Sequence, residues 1–221
     1  GILETSTAFS KTNGTGALTF GLTDTITGIT IDQNGYVHVS DSSTVGTWTE
    51  IVKVQDSIGS FDTKSITVII NAAISVSNGG NIITTQGIQE TSTAFSKTNG
   101  TGALTFGLTD TITGITIDQN GVVTAASTLT SIDSVTSRTL YDTVTATDTL
   151  GVKGYKAFTV KVNPPVLIAN GSNVVTTYGI TQFSAAFTSD TRTGTGTKVW
   201  TISGNHSGVS ISSGGIVTVD S

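Results

Sequence analysis

The chain of 221 residues contains no cysteine and no methionine, and it has only two prolines. The lack of cysteine excludes disulfides, thiol chemistry and cysteine-based zinc sites. No apolar run approaches the roughly 20 residues that a membrane-spanning helix requires, so we expect no membrane insertion in this segment. Because methionine is missing at position 1 as well, we expect a processed product or an internal piece of a longer polypeptide.

Charged residues are also scarce, with 10 Lys and Arg against 15 Asp and Glu and a formal net charge of −5. No stripe of Lys and Arg is present to bind a phosphate backbone, so nucleic acid is excluded as a partner. Threonine, by contrast, occurs 45 times. Threonine and valine favour strands, and strong helix formers are rare, so the composition predicts an all-β fold.

One segment, ETSTAFSKTNGTGALTFGLTDTITGITIDQNG, occurs twice, beginning at Glu4 and again at Glu90. The offset of 86 residues fits one small β domain per repeat and exceeds a solenoid coil. A third, diverged copy follows, because NGGNIITTQGI from Asn78 returns as NGSNVVTTYGI from Asn170. The chain is therefore predicted to be a tandem array.

Two linkers set the predicted domain boundaries, at Asn71-Ala72 and at Asn163-Pro164-Pro165, where the prolines end a strand. Aligning the copies indicates that the first repeat lacks its opening strand and that the third stops before its last two strands. We expect a longer polypeptide or a neighbouring subunit to supply them, since open sheet edges and an uncovered core are unstable. The predicted domains are residues 1–71, 72–165 and 166–221.

The second repeat is predicted to be complete. Turn signals such as Asn120-Gly121 separate its strands, and Phe158, Val160 and Val162 alternate with polar residues in the last one. Strands of this spacing without helical segments make a β-sandwich. We also expect equivalent positions in the two identical copies for Phe9 and Phe95, Phe20 and Phe106, Ile29 and Ile115, and Ile31 and Ile117. The predicted strands begin at Ala73, Asn81, Ser92, Ala103, Gly114, Val122, Thr139 and Tyr155.

The segment ALTFGLTDTITGITIDQNGVV and the later TLYDTVTATDTLGVKGYKAFTVKVN together resemble the cadherin-like and bacterial Ig-like tandem repeats of large microbial or viral surface proteins. The resemblance covers nearly the whole chain. It implies tandem Ig-like or cadherin-like β-sandwich domains in a linear array. Its motifs are structural, so they predict the fold better than the function.

Cadherins bind calcium between domains, and the resemblance makes Glu4, Glu90, Asp56 and Asp148 calcium candidates. Calcium takes six or more oxygen ligands, whereas the linkers IINAAI and KVNPPV supply one Asn each and no carboxylate. We therefore expect no bound metal or cofactor, and little change in melting on chelation. The alternative role for Asp56 and Asp148 is to cap a hairpin by accepting nearby backbone N–H groups.

Four Asn-x-Ser/Thr sequons make Asn13, Asn99, Asn170 and Asn205 candidates for glycosylation. The first three are each followed by Gly, so a turn explains them equally well. The repeated IDQNG segment, with Asp32 in its first copy, is interpreted as a turn because it is too short for an EF-hand loop.

Strand alternation places Glu50 and Asp142 on the inward face with Val52 and Val144. One hypothesis is an isopeptide cross-link from Lys64 or Lys156, promoted by a buried acid. We favour the simpler interpretation, that these long side chains lie near strand ends and reach water.

Catalysis finds no support in the sequence, and the chain is not predicted to be an enzyme. The only histidines, His38 and His206, do not recur between repeats, and no nucleophile, zinc or phosphate-binding motif is present. The three Glu residues form no carboxylate pair of the kind that glycoside hydrolysis needs. Trp48 and Trp200 lie in strand patterns and are expected in the core.

The sequence thus predicts a structural extracellular repeat protein that forms a stalk, fibre or surface coat on a microbial cell or virion. Its expected partners are copies of itself or neighbouring repeats of a longer chain. Two alternatives remain at this point: a carbohydrate-binding adhesin module that contacts surface glycans, and an accessory domain of a large secreted enzyme.

Overall fold

A computed structural model describes residues 4–24, 26–204 and 206–220. Every regular element within these ranges is a β-strand, which confirms the all-β prediction. Over the same ranges, the structure contains no helix of the length and apolarity that crossing a membrane would require.

Two three-stranded sheets form the first repeat, in the orders β1-β4-β3 and β2-β5-β6. The long hairpin β5-β6 pairs antiparallel over ten residues, from Gly46 opposite Ile70 to Gln55 opposite Phe61. The strands are β1 Glu4–Thr5, β2 Thr19–Leu22, β3 Ile29–Ile31, β4 Val37–Val39, β5 Gly46–Gln55 and β6 Phe61–Ile70.

The core of the first repeat lies between these two sheets. Phe20, Val52 and Val68 come from the β2-β5-β6 sheet, and Ile29 and Val37 come from the other. All five are at most 9% exposed. Apolar faces of two sheets packed on each other make a β-sandwich.

The second repeat contains a four-stranded sheet, β11-β14-β15-β8, a three-stranded sheet, β12-β13-β9, and the pair β10-β7. Strand β8 pairs parallel with β15, with Ile82 opposite Val160. The strands are β7 Ser75–Asn78, β8 Ile82–Thr85, β9 Glu90–Thr91, β10 Phe95–Thr98, β11 Thr105–Leu108, β12 Ile115–Ile117, β13 Val123–Ala125, β14 Arg138–Thr147 and β15 Lys153–Asn163. The predicted strands are all present, and β9 is an addition.

In the third repeat the sheets are small, with orders β16-β18 and β17-β20-β19. Among residues 166–204 and 206–220, no large apolar side chain is fully buried, and Val175, Tyr178 and Val199 are 88%, 101% and 82% exposed. The strands are β16 Ile168–Asn170, β17 Gln182–Phe183, β18 Phe187–Ser189, β19 Val209–Ile211 and β20 Val217–Val219.

Residue contacts divide the chain into two units, and the division runs through the second repeat. The domain limits at 71/72 and 165/166 therefore stay a prediction. One unit comprises Gly1–Val76, Lys97–Thr105 and Thr145–Tyr155, and the other comprises Ser77–Ser96, Phe106–Val144 and Lys156–Ser221.

Three of the four predicted pairs of apolar residues are buried to the same degree in the two identical segments. Phe20 and Phe106 are 7% and 8% exposed, and Ile29 and Ile115 are both 5% exposed. Ile31 and Ile117 are both half-buried.

Phe9 and Phe95 differ, however, although their local sequence is the same. Phe95 is 3% exposed and packs edge-on against Phe158, with ring centroids 5.9 Å apart. A Cβ on Gly79 would lie 2.4 Å from the Phe95 ring, so the backbone there also covers it closely. Phe9 is only half-buried.

Candidate functional site

The junction between the first and second repeats is held by a loop of the second repeat, Asn99–Gly102. The backbone N–H of Gly100 donates to the carbonyl of Ala72 at 3.0 Å. The side-chain amide of Asn71 donates to Thr101 Oγ1 at 3.1 Å. The linker therefore bonds to the repeat that follows it through one backbone and one side-chain hydrogen bond.

The next junction repeats this arrangement with the loop 193–196 of the third repeat. The N–H of Gly194 donates to the carbonyl of Pro164 at 2.7 Å, and the amide of Asn163 donates to Thr195 Oγ1 at 3.1 Å. Thr195 Oγ1 also lies 2.8 Å from Thr85 Oγ1. The same pair of hydrogen bonds thus occurs at both linkers.

A charge contact accompanies the second junction. Arg192 forms an ion pair with Asp190, with Nη2 and Oδ2 2.6 Å apart, and holds the pKa of Asp190 at about 2. The backbone N–H of Val135 is the main cause that lowers the pKa of Asp133, and the charge of Arg192 lowers it further. A residue of the third repeat therefore interacts electrostatically with one of the second.

The sequence predicts Asn71 and Asn163 only as linker residues, and this hydrogen-bonding role is not among its predictions. The signal was present, because each Asn precedes a Gly-Thr-Gly loop at nearly the same spacing. The bonded residues are 30 positions apart at the first junction and 32 at the second. Only the fold, however, brings the loop of one repeat against the end of the previous one.

Asp56 and Asp148 each join such a Gly-Thr-Gly loop to a hairpin turn. Asp148 Oδ2 accepts the N–H of Thr101, and its Oδ1 accepts the N–H groups of Leu150 and Val152, all at 2.9 Å. Asp56 accepts the N–H of Thr15 at 2.9 Å and those of two residues in its own turn. These bonds confirm the hairpin-capping interpretation.

These hydrogen bonds also shift the ionisation of both acids. The N–H of Thr15 is the main cause that lowers the pKa of Asp56. For Asp148, burial alone would raise the pKa, but the N–H groups of Thr101, Val152 and Leu150 outweigh it and the pKa is lowered. Both side chains are therefore ionised at neutral pH.

The calcium candidates have few oxygen atoms that are free to bind a metal ion. The oxygens of Asp56 and Asp148 already accept N–H groups, and Glu90 is exposed, with Oε1 accepting the N–H of Thr91 at 3.2 Å. Glu4 lies in β1, and its side chain is outside the described part of the structure. In the described ranges, no three His, Asp or Glu side chains are grouped to hold an ion. Asp56, Asp148 and Glu90 therefore do not fit a calcium cluster of six or more oxygens.

Three of the four sequon asparagines adopt a left-handed turn conformation. Asn13, Asn99 and Asn170 are exposed, with φ of 64°, 65° and 58°. The side-chain amide of Asn99 donates to the carbonyl of Ala73 at 3.2 Å, and that of Asn170 donates to Thr188 Oγ1 at 2.7 Å. Asn205 lies outside the described residues. Glycosylation at these sites stays a prediction.

Glu50 and Asp142 do not reach water, so our preferred interpretation of these residues is wrong. They are 0% and 4% exposed. Each is the fifth residue of a ten-residue strand, β5 or β14, that lies between two other strands of its sheet. Lys64 and Lys156 are exposed, and within the described ranges neither forms an ion pair with these acids.

The buried carboxylates are incompletely bonded. Asp142 Oδ1 accepts Thr109 Oγ1–H, the N–H of Asp110 and the N–H of Thr143, at 3.0, 3.2 and 2.6 Å, but Oδ2 has no partner. Neither oxygen of Glu50 has a partner. Burial raises the pKa of Glu50, and the charge of Asp24 raises it further.

A cavity of about 300 Å³ opens beside Asp142. Asn81, Asp110, Tyr141 and Thr159 are among its lining residues. Tyr141 is 72% exposed at its edge. The N–H of Thr159 donates to Asn81 Oδ1 at 2.9 Å.

Asp32 and Trp48, which the sequence also singled out, have structural roles in the first repeat. Asp32 Oδ1 accepts the N–H groups of Asn34 and Tyr36, at 2.9 and 3.0 Å, which confirms the turn. Its Oδ2 lies 3.4 Å from Nε2 of His38. Trp48 packs against the core of the first repeat, as expected, and its indole N–H donates to the carbonyl of Thr44 at 3.0 Å.

No protein-family model matches the sequence, and no curated protein sequence is similar to it. Solved structures of tandem repeats are similar. A Drosophila N-cadherin fragment, EC1-4, is 12% identical, with a TM-score of 0.39, over 96% of this chain and 60% of that fragment. Mouse cadherin-23 EC22-24 is 19% identical, with a TM-score of 0.32, over 66% of this chain and 52% of the other.

A C-terminal fragment of intimin, solved with the intimin-binding domain of the translocated intimin receptor, is 14% identical, with a TM-score of 0.39. That match covers 68% of this chain and 52% of the intimin fragment. The chain thus spans 60% or less of these three fragments. It is similar to cadherin and Ig-like repeats, as the sequence resemblance predicted, and at these identities the likeness concerns the fold alone.

Proposed function

We propose that this chain is a structural segment of an extracellular surface protein, in which the repeats serve as spacers in a stalk, fibre or coat on a microbial cell or virion. The main support is the pair of hydrogen bonds that recurs at both linkers. Asn71 and Asn163 bond to Thr101 and Thr195 at the same distance, 3.1 Å.

A recurring junction matters because it limits how freely consecutive repeats move. Each linker is short and is tied at a backbone carbonyl and at the adjacent Asn side chain, so bending it breaks two hydrogen bonds. Each such bond contributes about 1 kcal/mol. Copies that use the same junction can be added without a new interface, which is how repeat proteins set their length.

Much of the packing is the same in the first two repeats, and this agrees with a spacer role. Most of the turn, loop and core residues of the first repeat recur in the second, including Phe20 and Phe106, and Ile29 and Ile115. A spacer needs stable and repeated folding units more than it needs one specialised surface.

Immunogold electron microscopy of intact source cells or particles tests the proposal. Antibodies raised against the second repeat, residues 72–165, are expected to label the outer surface without permeabilisation. A matched antibody against an internal protein should label only after permeabilisation. If the repeat antibody also requires permeabilisation, the surface role is wrong.

A further inference from the structure

Asparagine followed by glycine occurs six times in the chain, and the structure distinguishes these pairs by their hydrogen bonds. An Asn-Gly pair can lose the Asn amide without an enzyme, because glycine has no side chain to keep its backbone nitrogen away from the Asn side chain. A bonded Asn amide or a bonded Gly N–H opposes this reaction. In five of the pairs at least one of these two groups is hydrogen-bonded, and these pairs begin at Asn34, Asn78, Asn99, Asn120 and Asn170.

The sixth pair, Asn13-Gly14, has neither hydrogen bond. Both residues are exposed. Within the described ranges, the side-chain amide of Asn13 and the backbone N–H of Gly14 have no hydrogen-bond partner. The two groups that must meet for the amide to be lost are therefore both unrestrained.

The second repeat supplies a matched comparison, because Asn99-Gly100 lies in the same sequence, STAFSKTNGTGALTF. The turn is also the same, with φ of 64° at Asn13 and 65° at Asn99. In the second repeat, however, the Asn99 amide donates to the carbonyl of Ala73 at 3.2 Å, and the N–H of Gly100 donates to the carbonyl of Ala72 at 3.0 Å. The hydrogen bonds to the linker therefore distinguish two sites of equal sequence and turn.

We propose that Asn13 is a site of spontaneous deamidation, and that the hydrogen bonds to the linker protect Asn99 from the same reaction. The backbone nitrogen of Gly14 attacks Cγ of Asn13 and loses its proton as the new N–Cγ bond forms, while the Cγ–Nδ2 bond breaks and ammonia leaves. Water then opens the succinimide ring at either carbonyl, which gives aspartate or isoaspartate and one additional negative charge. The reaction needs only water, and it is independent of the proposed surface role.

The product changes a loop that carries structural hydrogen bonds. The N–H of Thr15, two residues after Asn13, donates to Asp56 Oδ2 at 2.9 Å, and the Thr15 carbonyl accepts the N–H of Ser57 at 3.1 Å. Isoaspartate at position 13 adds one carbon atom to the main chain just before these bonds. The reaction therefore lengthens the main chain at a loop that holds the hairpin turn.

Peptide mapping of the full, unglycosylated chain after storage in mildly alkaline ¹⁸O-labelled water tests the site. Trypsin gives the peptides 12–53 and 98–138, which differ after the repeated segment, and fragment ions identify the modified Asn in each. Isoaspartate, labelled by isoaspartyl methyltransferase, should form at Asn13 about tenfold faster or more than at Asn99, because two hydrogen bonds must break first at Asn99. Asn13→Gln should remove the first signal and leave the second unchanged.

The same measurement in denaturant isolates the effect of the fold. Since the residues around Asn13 and Asn99 are identical, both should react at the same rate in the unfolded chain. A difference in the folded chain then comes from the structure. Equal rates at the two sites in the folded chain, or a faster reaction at Asn99, would overturn the proposal. It would also be overturned if Asn13 stayed intact in the folded chain while the unfolded chain reacted.

Discussion

Asn163 donates its side-chain amide to Thr195 Oγ1 at 3.1 Å, across the linker between two repeats. Asn71 makes the same bond to Thr101 at the preceding linker. At each linker the Asn side-chain amide donates to the Thr of the loop, and the backbone carbonyl of the next residue accepts the N–H of the neighbouring Gly. Two consecutive linker residues are therefore enough to hold the loop. The junction is therefore encoded locally and can be tested with single substitutions.

We expect Asn163→Ala to loosen the junction between the second and third repeats without unfolding either repeat. The variant loses one hydrogen bond, worth about 1 kcal/mol, at the last residue of β15. Backbone ¹⁵N relaxation should report different tumbling times for the two repeats, where the unchanged chain gives closer values. Asn34→Ala, in an exposed turn of the first repeat, is the control. Unchanged relaxation in Asn163→Ala would show that the bond does not restrain the junction.

The stability of the chain should fall in acid through Asp148. Its folded pKa is lowered, so its contribution is present above the pKa of the unfolded chain, near 3.9, and is lost as pH falls through the folded value. Thermal melts from pH 6 to pH 2 should therefore drop less steeply in Asp148→Asn, which cannot titrate. At pH 6 that variant should be less stable than the unchanged chain. Parallel curves for the two proteins would contradict this assignment.

The strands could be predicted from the sequence because the patterns that mark them are local. Phe106 and Ile115 alternate with polar neighbours, and Asn120-Gly121 marks a turn, so each could be placed without knowing the rest of the fold. The burial of Asp142 could not be predicted in this way. Strand alternation correctly predicted that Asp142 faces inward. Whether an inward acid reaches water depends on which strands flank β14, and those strands lie far from it in the sequence.

Phe95 and Phe9 offer a matched test of how much the burial of this phenylalanine contributes to the free energy of unfolding. Both lie in the sequence STAFSKTNGTG, but only Phe95 is fully buried, between Phe158 and the backbone of Gly79. We expect Phe95→Ala to lower the free energy of unfolding by about 3–5 kcal/mol, the range for large core truncations. Phe9→Ala should cost less than half as much. Equal losses in chemical denaturation would mean that the two sites are packed alike.

The third repeat should be cleaved first in limited proteolysis. Among its described residues no large apolar side chain is fully buried, and Val199 is 82% exposed. Local stability follows buried contacts, so thermolysin at low concentration should cut between residues 166 and 220 before it cuts within 72–165. Mass spectrometry of early fragments identifies the cuts. Early cleavage within the second repeat instead would show that burial does not govern resistance in this chain.

Glu50 should destabilise the first repeat at neutral pH, and removing its charge should increase the free energy of unfolding. The side chain is fully buried with both oxygens unpartnered, and its folded pKa is raised by burial and by Asp24. Replacing it by Leu should increase the free energy of unfolding by about 1–3 kcal/mol, because no buried polar group remains unsatisfied.

The pH dependence distinguishes the charge of Glu50 from its shape. For an acid whose folded pKa is raised, the ionised form is penalised only in the folded state, so stability increases as pH falls through the folded pKa towards the unfolded value, near 4.3. Glu50→Gln should therefore melt higher than the unchanged chain at pH 7 and match it near pH 4. Glu90→Gln, at an exposed position, is the matched control for removing a carboxylate. If Glu50→Gln melts lower than the unchanged chain at pH 7, the buried carboxylate has a partner that stabilises its charge.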